Sequence, residues 1–514
     1  MSHLKSPCPT DNSMRPPRQV TTLLGIEVKY RRPLSIPSLL GGVKKCGYIS
    51  YIIMERMSIN NVATKRTALF VAAFASFVTP FMSSSINIAL PSIGQEFAMN
   101  AVLLSWVATS YLLAAAMFLV PFGRIADIYG RKRIFTYGML LYTLACLLSA
   151  FATSGSLLIS FRVLQGIGGA MVFGTGIAIL TSVFPVGERG KALGINAAAV
   201  FLGLSLGPSL GGFLTEHFGW RSIFLIIVPL GLATIAFILW KLKGEWAGAK
   251  GEKFDFGGSL IYSLALVAIM YGFSVLPAML GICLVVAGIL GILAFIKWEM
   301  KVESPVLDIN LFRNNRVFAF SNLATLVSFS ATFAVAFLLS LYLQYVKGFG
   351  PEGAGLILVS QPVVMVIFSP LAGRLSDRIE PRIVASIGMA LITTALCLFI
   401  FLTEKTTLQF IIASLILLGF GAALFSSPNM NAVMSSVEKR SYGVASSTVG
   451  TMRLVGQTLS MGIAMLIFAV YLGRVQITPE HYLLFLKGVK VAFVIFASLS
   501  FGGIFASLAR GKIR

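Results

Sequence analysis

Apolar residues occur along this chain in long blocks that are separated by short polar segments. From residue 68 onward each block holds about 20 residues, the length of a helix that crosses a bilayer. Since a helix satisfies its own backbone hydrogen bonds, it is the expected form of each block within lipid. The predicted spans are residues 68–91, 101–121, 134–152, 157–181, 192–215, 221–241, 257–275, 278–297, 317–343, 353–372, 383–402, 407–428, 442–471 and 486–508. The pattern therefore predicts an all-α polytopic membrane protein with 14 transmembrane helices.

The composition agrees with a membrane protein and argues against two other classes. Hydrophobic residues make up 57% and charged residues 12% of the 514 residues, whereas roughly a quarter of the residues of a soluble protein are charged. The formal net charge of +22 does not indicate a nucleic-acid partner, because Lys and Arg concentrate in alternate loops rather than on one face. Cytoplasmic loops carry such an excess. We therefore expect a multi-pass protein of the plasma membrane with both termini in the cytoplasm.

The order of the spans divides the chain into five predicted segments. They are a cytosolic tail at 1–66, a six-helix bundle at 67–241, an inserted helix pair with its flanking loops at 242–316, a second six-helix bundle at 317–508 and a cytosolic tail at 509–514. The first tail is expected to be disordered or to lie upstream of the true start, which is then Met54 or Met57.

A charged segment with a repeated pattern separates the second and third predicted spans. Gly123–Arg133 reads Gly-Arg-Ile-Ala-Asp-Ile-Tyr-Gly-Arg-Lys-Arg, and Gly-Arg-Leu-Ser-Asp-Arg begins at Gly373, an offset of 250 residues (373 − 123). Gly123 is expected to let two helix ends approach, and Asp127 to accept from a helix N-terminus or to pair with Arg131. The alternative is a simple positive anchor, but the repetition favours a conformational latch in a two-halved transporter. The predicted latch residues are Gly123, Arg124, Asp127, Gly130, Arg131, Gly373, Arg374 and Asp377.

A charged residue lies inside the fourth predicted span. Arg162 is costly in hydrocarbon and is expected to face the bundle interior or a water-filled cavity. Gln165, three residues on, lies on the same helix face. The alternative is a structural arginine near the outer interface, whose side chain extends to water.

The fifth predicted span is rich in glycine. Gly203, Gly207 and Gly211 are spaced four residues apart, and Gly212 follows directly. Glycines at this spacing share one helix face and allow another backbone to come close. Pro208 removes a backbone donor and bends the helix. Tight helix packing is expected here whatever the function.

Together these motifs resemble the major facilitator superfamily over nearly all of residues 65–510. Three further segments, Gly219–Gly231, Phe254–Gly258 and Pro305–Phe318, resemble the superfamily's fourteen-span drug:proton antiporters. The resemblance implies a major facilitator fold of six plus two plus six helices, with a central cavity between halves that alternate access. It also implies that Gly123–Arg133 is the signature loop of the superfamily.

The resemblance assigns expected roles to several side chains. Arg162, with Gln165 beside it, is similar to the superfamily's fourth-helix arginine, which is implicated in proton coupling. Arg453 with Gln457 resembles an arginine-glycine stretch in the thirteenth helix of the group. The glycines of the fifth span resemble the motif that marks antiporters. Export, as the direction of transport, is therefore an implication of the resemblance.

The first span departs from the pattern of this group. Met82 stands where the group usually has an aspartate, and no Asp or Glu lies well inside any predicted span. A buried carboxylate is the simplest partner for a cationic drug or a transported proton. Its absence favours neutral, amphipathic or anionic substrates, with Arg162 and Arg453 as the charges of the cavity.

The expected function is secondary active export of hydrophobic or amphipathic compounds by proton antiport, of the multidrug-efflux type. One alternative is a dedicated exporter or importer of a single metabolite, and another is a non-transporting membrane sensor on the same fold. The expected partners are a small-molecule substrate, protons and the lipid bilayer, and the expected state is a monomer. No enzymatic activity is expected, because the spans lack a cluster of acid, base and nucleophile. No cofactor is expected, because secondary transport draws on a gradient and the chain has no phosphate-binding P-loop. No metal site is expected from the spacing of the five cysteines and three histidines.

Overall fold

A computed structural model gives the arrangement of the chain. It describes the backbone of residues 43–514 except 186–187, 243, 303–304, 308, 439–441, 474 and 512–514, and most side chains from Thr64 onward. Residues 1–42 of the tail predicted at 1–66 lie outside this part, and the rest of that tail, from Val43 onward, is helical.

The described residues fold into helices and connecting segments, without a strand. The first eight helices are α1 (Val43–Glu96), α2 (Ala101–Tyr129), α3 (Arg131–Ala150), α4 (Gly155–Val183), α5 (Arg189–Phe218), α6 (Arg221–Lys241), α7 (Phe256–Val275) and α8 (Met279–Glu299). The others are α9 (Ile309–Asn314), α10 (Arg316–Leu341), α11 (Pro351–Leu358), α12 (Ser360–Arg378), α13 (Pro381–Phe399), α14 (Leu408–Ser435), α15 (Tyr442–Tyr471) and α16 (Tyr482–Ala509). A π-helical turn at Tyr342–Val346 extends α10, and a 3₁₀ turn at Pro479–His481 precedes α16.

Side chains in the loops define where several helices begin. Asn100, Ser154, Asp255 and Asn315 precede α2, α4, α7 and α10, and each accepts a hydrogen bond from the backbone amide three residues later. Such caps satisfy one of the amides that lack a partner inside the helix. The break between α2 and α3 occurs at Gly130, whose φ of +121° is favourable only for glycine.

Fourteen of these helical segments are long and apolar enough to cross a membrane, which confirms the predicted number for the described residues. The segment Thr64–Glu96 of α1 is one of them, and α11 with α12 forms another, Pro351–Ser376. The sixth predicted span coincides with α6. At the end of the chain, Arg510 is fully buried and donates two hydrogen bonds to Ser507, so it is not part of a solvated tail.

The helices pack in two sets with the same order of contacts. The first set is α1 to α6, in which α4 packs against α2 and α3, and α3 packs against α6. The second set is α10 to α16, in which α14 packs against α12 and α13, and α13 packs against α16. The sets meet where α5 contacts α11 and α12 and where α2 contacts α15. Helices α7 and α8 pack on each other, and α7 contacts both α2 and α15 at this junction.

Candidate functional site

A cavity of about 340 Å³ lies between the two sets of helices. Helices α1, α2, α4 and α5 contribute to its wall from the first set, and α10, α12, α14 and α15 from the second. We call the end of the bundle at the α2–α3 junction the hinge end, and the opposite end the far end. The lining segments of α1 (72–83), α4 (172–177), α5 (193–204) and α15 (446–457) come from the parts of those helices nearer the hinge end. The cavity therefore lies toward the hinge end.

Hydrogen bonds between the two sets of helices close the far end. Ser340 Oγ of α10 donates to the carbonyl oxygen of Asn87 in α1 at 2.7 Å. Gln344 Nε2 donates to the carbonyl oxygen of Ile88 at 2.9 Å. Both contacts lie beyond the cavity as seen from the hinge end.

A second group of far-end contacts joins α5 to α11. The backbone amide of Glu352 donates to Glu216 Oε2 at 2.8 Å, and His217 Nε2 lies 3.1 Å from Glu352 Oε2. Gly350, the residue before α11, provides no side-chain cap. A carboxylate of the first set therefore caps a helix of the second set, which is favourable because the N-terminal end of a helix attracts negative charge.

The cavity wall is mainly aromatic and aliphatic, with polar amides and hydroxyls. Phe173 and Phe201 line it from the first set, and Phe329, Phe333 and Phe425 line it from the second. Such rings accept apolar and planar molecules.

Two of the four residues predicted for coupling or cavity charge line the cavity, and both lie on α15. They are Arg453 and Gln457, one helical turn apart. Arg453 is the only charged side chain among the described residues of the wall. Its guanidinium lies 5.7 Å from the centre of the Phe173 ring, and its Nε atom is buried without a hydrogen-bond partner among the described residues.

The other two, Arg162 and Gln165, lie behind the wall. Arg162 is 1% exposed, and its guanidinium lies 4.6 Å from the ring centre of Tyr111, which lines the cavity. Its Nε donates to the carbonyl oxygen of Val107 at 3.0 Å, and its Nη1 donates to Gln165 Oε1. Gln165 Nε2 in turn lies 3.0 Å from Cys146 Sγ. Arg162 thus faces the bundle interior and does not reach water, but it does not line the cavity itself.

The segment Gly123–Arg133, which we call the hinge, contains the ion pair predicted from the sequence. Arg131 Nε donates to Asp127 Oδ1 at 2.7 Å, across the break at Gly130. The same guanidinium donates to the carbonyl oxygen of Ala178 at 3.0 Å and to Ser182 Oγ, both near the end of α4. Arg131 thus connects α2, α3 and α4.

A partner of the hinge that the sequence analysis missed is the linker, residues 244–255 between α6 and α7. Arg124 pairs with Glu252 of the linker. The amide of Ala249 donates to the carbonyl oxygen of Asp127 at 2.9 Å. The amide of Arg131 donates to the carbonyl oxygen of Trp246 at 2.8 Å. The only sequence signal was the presence of acidic residues in a loop otherwise rich in lysine.

Glu245 adds a further linker contact beside Gly130. Glu245 Oε1 accepts from the amide of Lys132 at 2.8 Å, and Oε2 lies 3.7 Å from Arg133 Nε. A Cβ at Gly130 would lie 2.6 Å from Glu245 Cδ, so the linker fits against a bare glycine backbone.

The two copies of the predicted latch motif have different surroundings. A Cβ at Gly123 would meet no atom within 4 Å, but α4 lies close to the backbone of this residue, because a Cβ at Gly174 would lie 3.5 Å from Gly123 Cα. In the second copy, Gly373 faces Ser427 Oγ at 3.2 Å from its Cβ position, and Arg374 is exposed. The side chain of Asp377 lies outside the described part of the structure.

The glycines of α5 serve two different contacts. A Cβ at Gly203 would overlap the carbonyl oxygen of Phe77, and Gly207 and Gly211 likewise face α1. A Cβ at Gly212 would instead lie 2.5 Å from the carbonyl oxygen of Pro351 in α11. The carbonyl oxygen of Pro208 also lies against α11, where a Cβ at Gly355 would overlap it. One face of α5 therefore packs within the first set and the other packs across to the second.

The described residues thus form two similarly packed sets of apolar helices around a central cavity, with α7 and α8 at their junction, and this arrangement is that of a multi-pass membrane transporter. The sequence profile described as Major Facilitator Superfamily matches residues 72–350 and 321–512, and the chain belongs to that superfamily.

Several curated proteins are similar along most of this chain. The riboflavin transporter RibZ of Clostridioides difficile is 29% identical over 86% of this chain and 96% of its own. The multidrug resistance protein Stp of Mycobacterium tuberculosis is 31% identical over 75% of this chain and 73% of its own. The cephamycin export protein CmcT of Amycolatopsis lactamdurans is 31% identical over 79% of this chain and 85% of its own. The relatives thus include the multidrug-efflux type of the superfamily.

A solved structure shares the fold. It is a bacterial homolog of the human lysosomal transporter Spinster in an inward-facing, unoccupied conformation. The TM-score is 0.63, the sequence identity is 16%, and the match covers 87% of this chain and 97% of that one.

Proposed function

We propose that this protein exports hydrophobic or amphipathic organic compounds in exchange for protons. The observation that carries the proposal is the cavity between the two sets of helices, whose wall combines phenylalanines with amides and one arginine. A wall of this kind binds molecules with an apolar body and a few polar groups. The names of Stp and CmcT, a multidrug resistance protein and an export protein, support the direction.

In this proposal the hinge end faces the cytoplasm of a plasma-membrane protein, because its loops carry most of the Lys and Arg residues. The cavity then takes substrate from the cytoplasm, while the contacts at the far end separate it from the exterior. Rocking of one set of helices against the other breaks the far-end contacts and releases the substrate outside. The hinge is the proposed latch at the cytoplasmic end.

The proposed coupling residues are Arg162 with Gln165 and Arg453 with Gln457. All hydrogen bonds of Arg162 in the described residues are to neutral acceptors, so no local carboxylate balances its charge. The field of such a charge is strong in a medium of low dielectric constant. Arg162 is therefore placed to respond, through Tyr111, to a charged occupant of the cavity.

Inside-out vesicles that contain the protein test the proposal. A preset pH gradient is challenged with cationic, neutral and anionic amphipathic compounds while the internal pH is followed. Dissipation of the gradient by a compound only in the presence of the protein is the expected result. If no compound in a broad panel does so, proton-coupled multidrug export is excluded.

A second candidate function is the dedicated transport of one metabolite. The riboflavin transporter RibZ, which matches over 96% of its own length, favours this candidate. The two functions differ in substrate range. Gradient dissipation by riboflavin alone, from a panel of size-matched aromatic compounds, would replace the multidrug proposal with a dedicated carrier.

A further inference from the structure

The cavity wall carries a positive charge that no described residue balances. Arg453 is its only charged side chain among those described, and the Nε atom of this residue is buried without a hydrogen-bond partner. The described neighbour of its guanidinium is an aromatic ring, that of Phe173. An aromatic face attracts a cation but does not neutralise it.

A second positive charge lies directly behind the wall. The guanidinium of Arg162 lies 4.6 Å from the ring centre of Tyr111, and its described acceptors are the carbonyl oxygen of Val107 and Gln165 Oε1. Two arginines thus act on the same cavity, and no Asp or Glu is present among the described residues of its wall.

The two arginines favour an anionic occupant of the cavity. An arginine does not lose its proton in a protein, so burial cannot remove the charge. Arg453 is half-buried, and its Nε atom is fully buried without a partner among the described residues. Such a cation is unfavourable in a medium of low dielectric constant, and an opposite charge beside it is strongly attracted. A carboxylate supplies that charge and matches the fork of the guanidinium with two oxygens. An organic cation in the same place would meet repulsion from both arginines.

The apolar part of the wall indicates what accompanies the charge. Phe173 lies next to Arg453, and Phe329 and Phe425 face the cavity from the second set of helices. Met430 and Met434 add flexible side chains that adapt to different shapes. An aromatic ring system attached to an acidic group satisfies both parts of the wall.

We infer that the cavity binds aromatic organic anions, whose carboxylate pairs with Arg453 while the ring system lies among the phenylalanines. The inference rests on the proposed function, because the bound anion is then the exported substrate. Gln457, one turn from Arg453, is placed to donate a further hydrogen bond to the same acidic group.

Binding of three probes of equal size and different charge tests the inference. The probes are 1-naphthoate, 1-naphthamide and 1-naphthylmethylammonium, each titrated calorimetrically into the full-length protein in phosphatidylcholine nanodiscs. The expected result is that the anion binds at least about tenfold more tightly than the amide, and the ammonium more weakly than both. Equal affinities for all three would overturn the inference.

Two cavity variants and one control assign the effect to Arg453. Arg453→Gln is expected to remove the preference for naphthoate over naphthamide, while Arg453→Lys retains part of it because the charge remains. Lys405→Gln, which removes a positive charge from an exposed loop at the far end, is expected to leave the preference unchanged. A preserved preference in Arg453→Gln, with folding confirmed by unchanged naphthamide binding, would contradict the assignment.

A lipid headgroup is the other source of an anion, and a separate titration distinguishes it. Nanodiscs in which phosphatidylglycerol replaces part of the phosphatidylcholine are expected to bind naphthoate equally well. Loss of naphthoate binding in these discs would assign Arg453 to a lipid instead. Since binding is measured without a gradient, failure of the vesicle experiment would remove proton-coupled export without removing the anion site.

Discussion

Arg162 shows how one residue can be buried, charged and still close to the cavity. Its Nε and Nη1 atoms each donate a hydrogen bond to a neutral acceptor at a fixed position, and these bonds depend on the planar geometry of the guanidinium. We expect Arg162→Ala to lower proton-linked flux by about tenfold or more, as for an intramembrane charge with a functional role. Arg162→Lys should recover little, because an ammonium cannot reproduce the planar fork. Proteoliposome flux at matched protein levels measures both.

The thermal stability of the same variants separates function from structure. If Arg162→Ala lowers the melting temperature but retains proton-linked flux, the residue is structural. If flux is lost while the melting temperature stays near that of the wild type, the coupling role stands.

At the same scale, Asp127 contributes a charge to the hinge. Asp127→Asn keeps the size of the side chain and removes its ion pair with Arg131. Because a partly exposed ion pair contributes about 1 kcal/mol or less, we expect transport to fall by about fivefold with normal membrane insertion. Flux equal to the wild type would remove Asp127 from the proposed latch.

The elements most visible in the sequence were the helices themselves. Lipid-exposed segments must be apolar for about 20 residues, so their number could be counted without knowing how they pack. The ion pair of the hinge could also be predicted from the sequence, because Asp127 and Arg131 lie four residues apart. The linker contacts could not be predicted, because Glu245 and Glu252 reach the hinge only after α3 to α6 have folded back beside it.

The ion pair between Glu252 and Arg124 is expected to help hold the linker against the hinge. Glu252→Gln removes the charge that pairs with Arg124. We expect faster hydrogen–deuterium exchange at the amide of Ala249, which is protected by its bond to Asp127 in the intact contact. Glu404→Gln, at an exposed far-end loop, is the matched control and should leave this exchange unchanged. Identical exchange in both variants would show that the linker is held by its backbone contacts alone.

At the scale of the whole molecule, α5 joins the two sets of helices. Gly212→Ala places a methyl group against the carbonyl oxygen of Pro351 and should separate α5 from α11. Gly203→Ala places the same group against Phe77, within one set. We expect the first variant to shift the population toward an open far end, and the second to lower stability without that shift.

Spin-label distances measure this shift. Labels replacing Phe151 and Phe401, which are both exposed at far-end turns, report the separation of the two sets in a background without native cysteines. A longer distance in Gly212→Ala than in Gly203→Ala is the expected result. The reverse order would contradict the division of α5 into two faces.

The contacts of the linker with the hinge and the far-end contacts between the two sets rely on different forces in the main, and they should therefore respond differently to ionic strength. The hinge uses ion pairs with partly exposed members, such as Arg124 with Glu252 and Arg133 with Glu245. Dissolved salt weakens such exposed pairs, because the screening length falls to about 10 Å at 0.1 M salt and becomes shorter as salt rises. At the far end the two sets are joined by hydrogen bonds to carbonyl oxygens and by glycine packing, which salt affects much less, besides the exposed His217–Glu352 contact. Rising salt should thus loosen the linker from the hinge more than it loosens the two sets from each other at the opposite end.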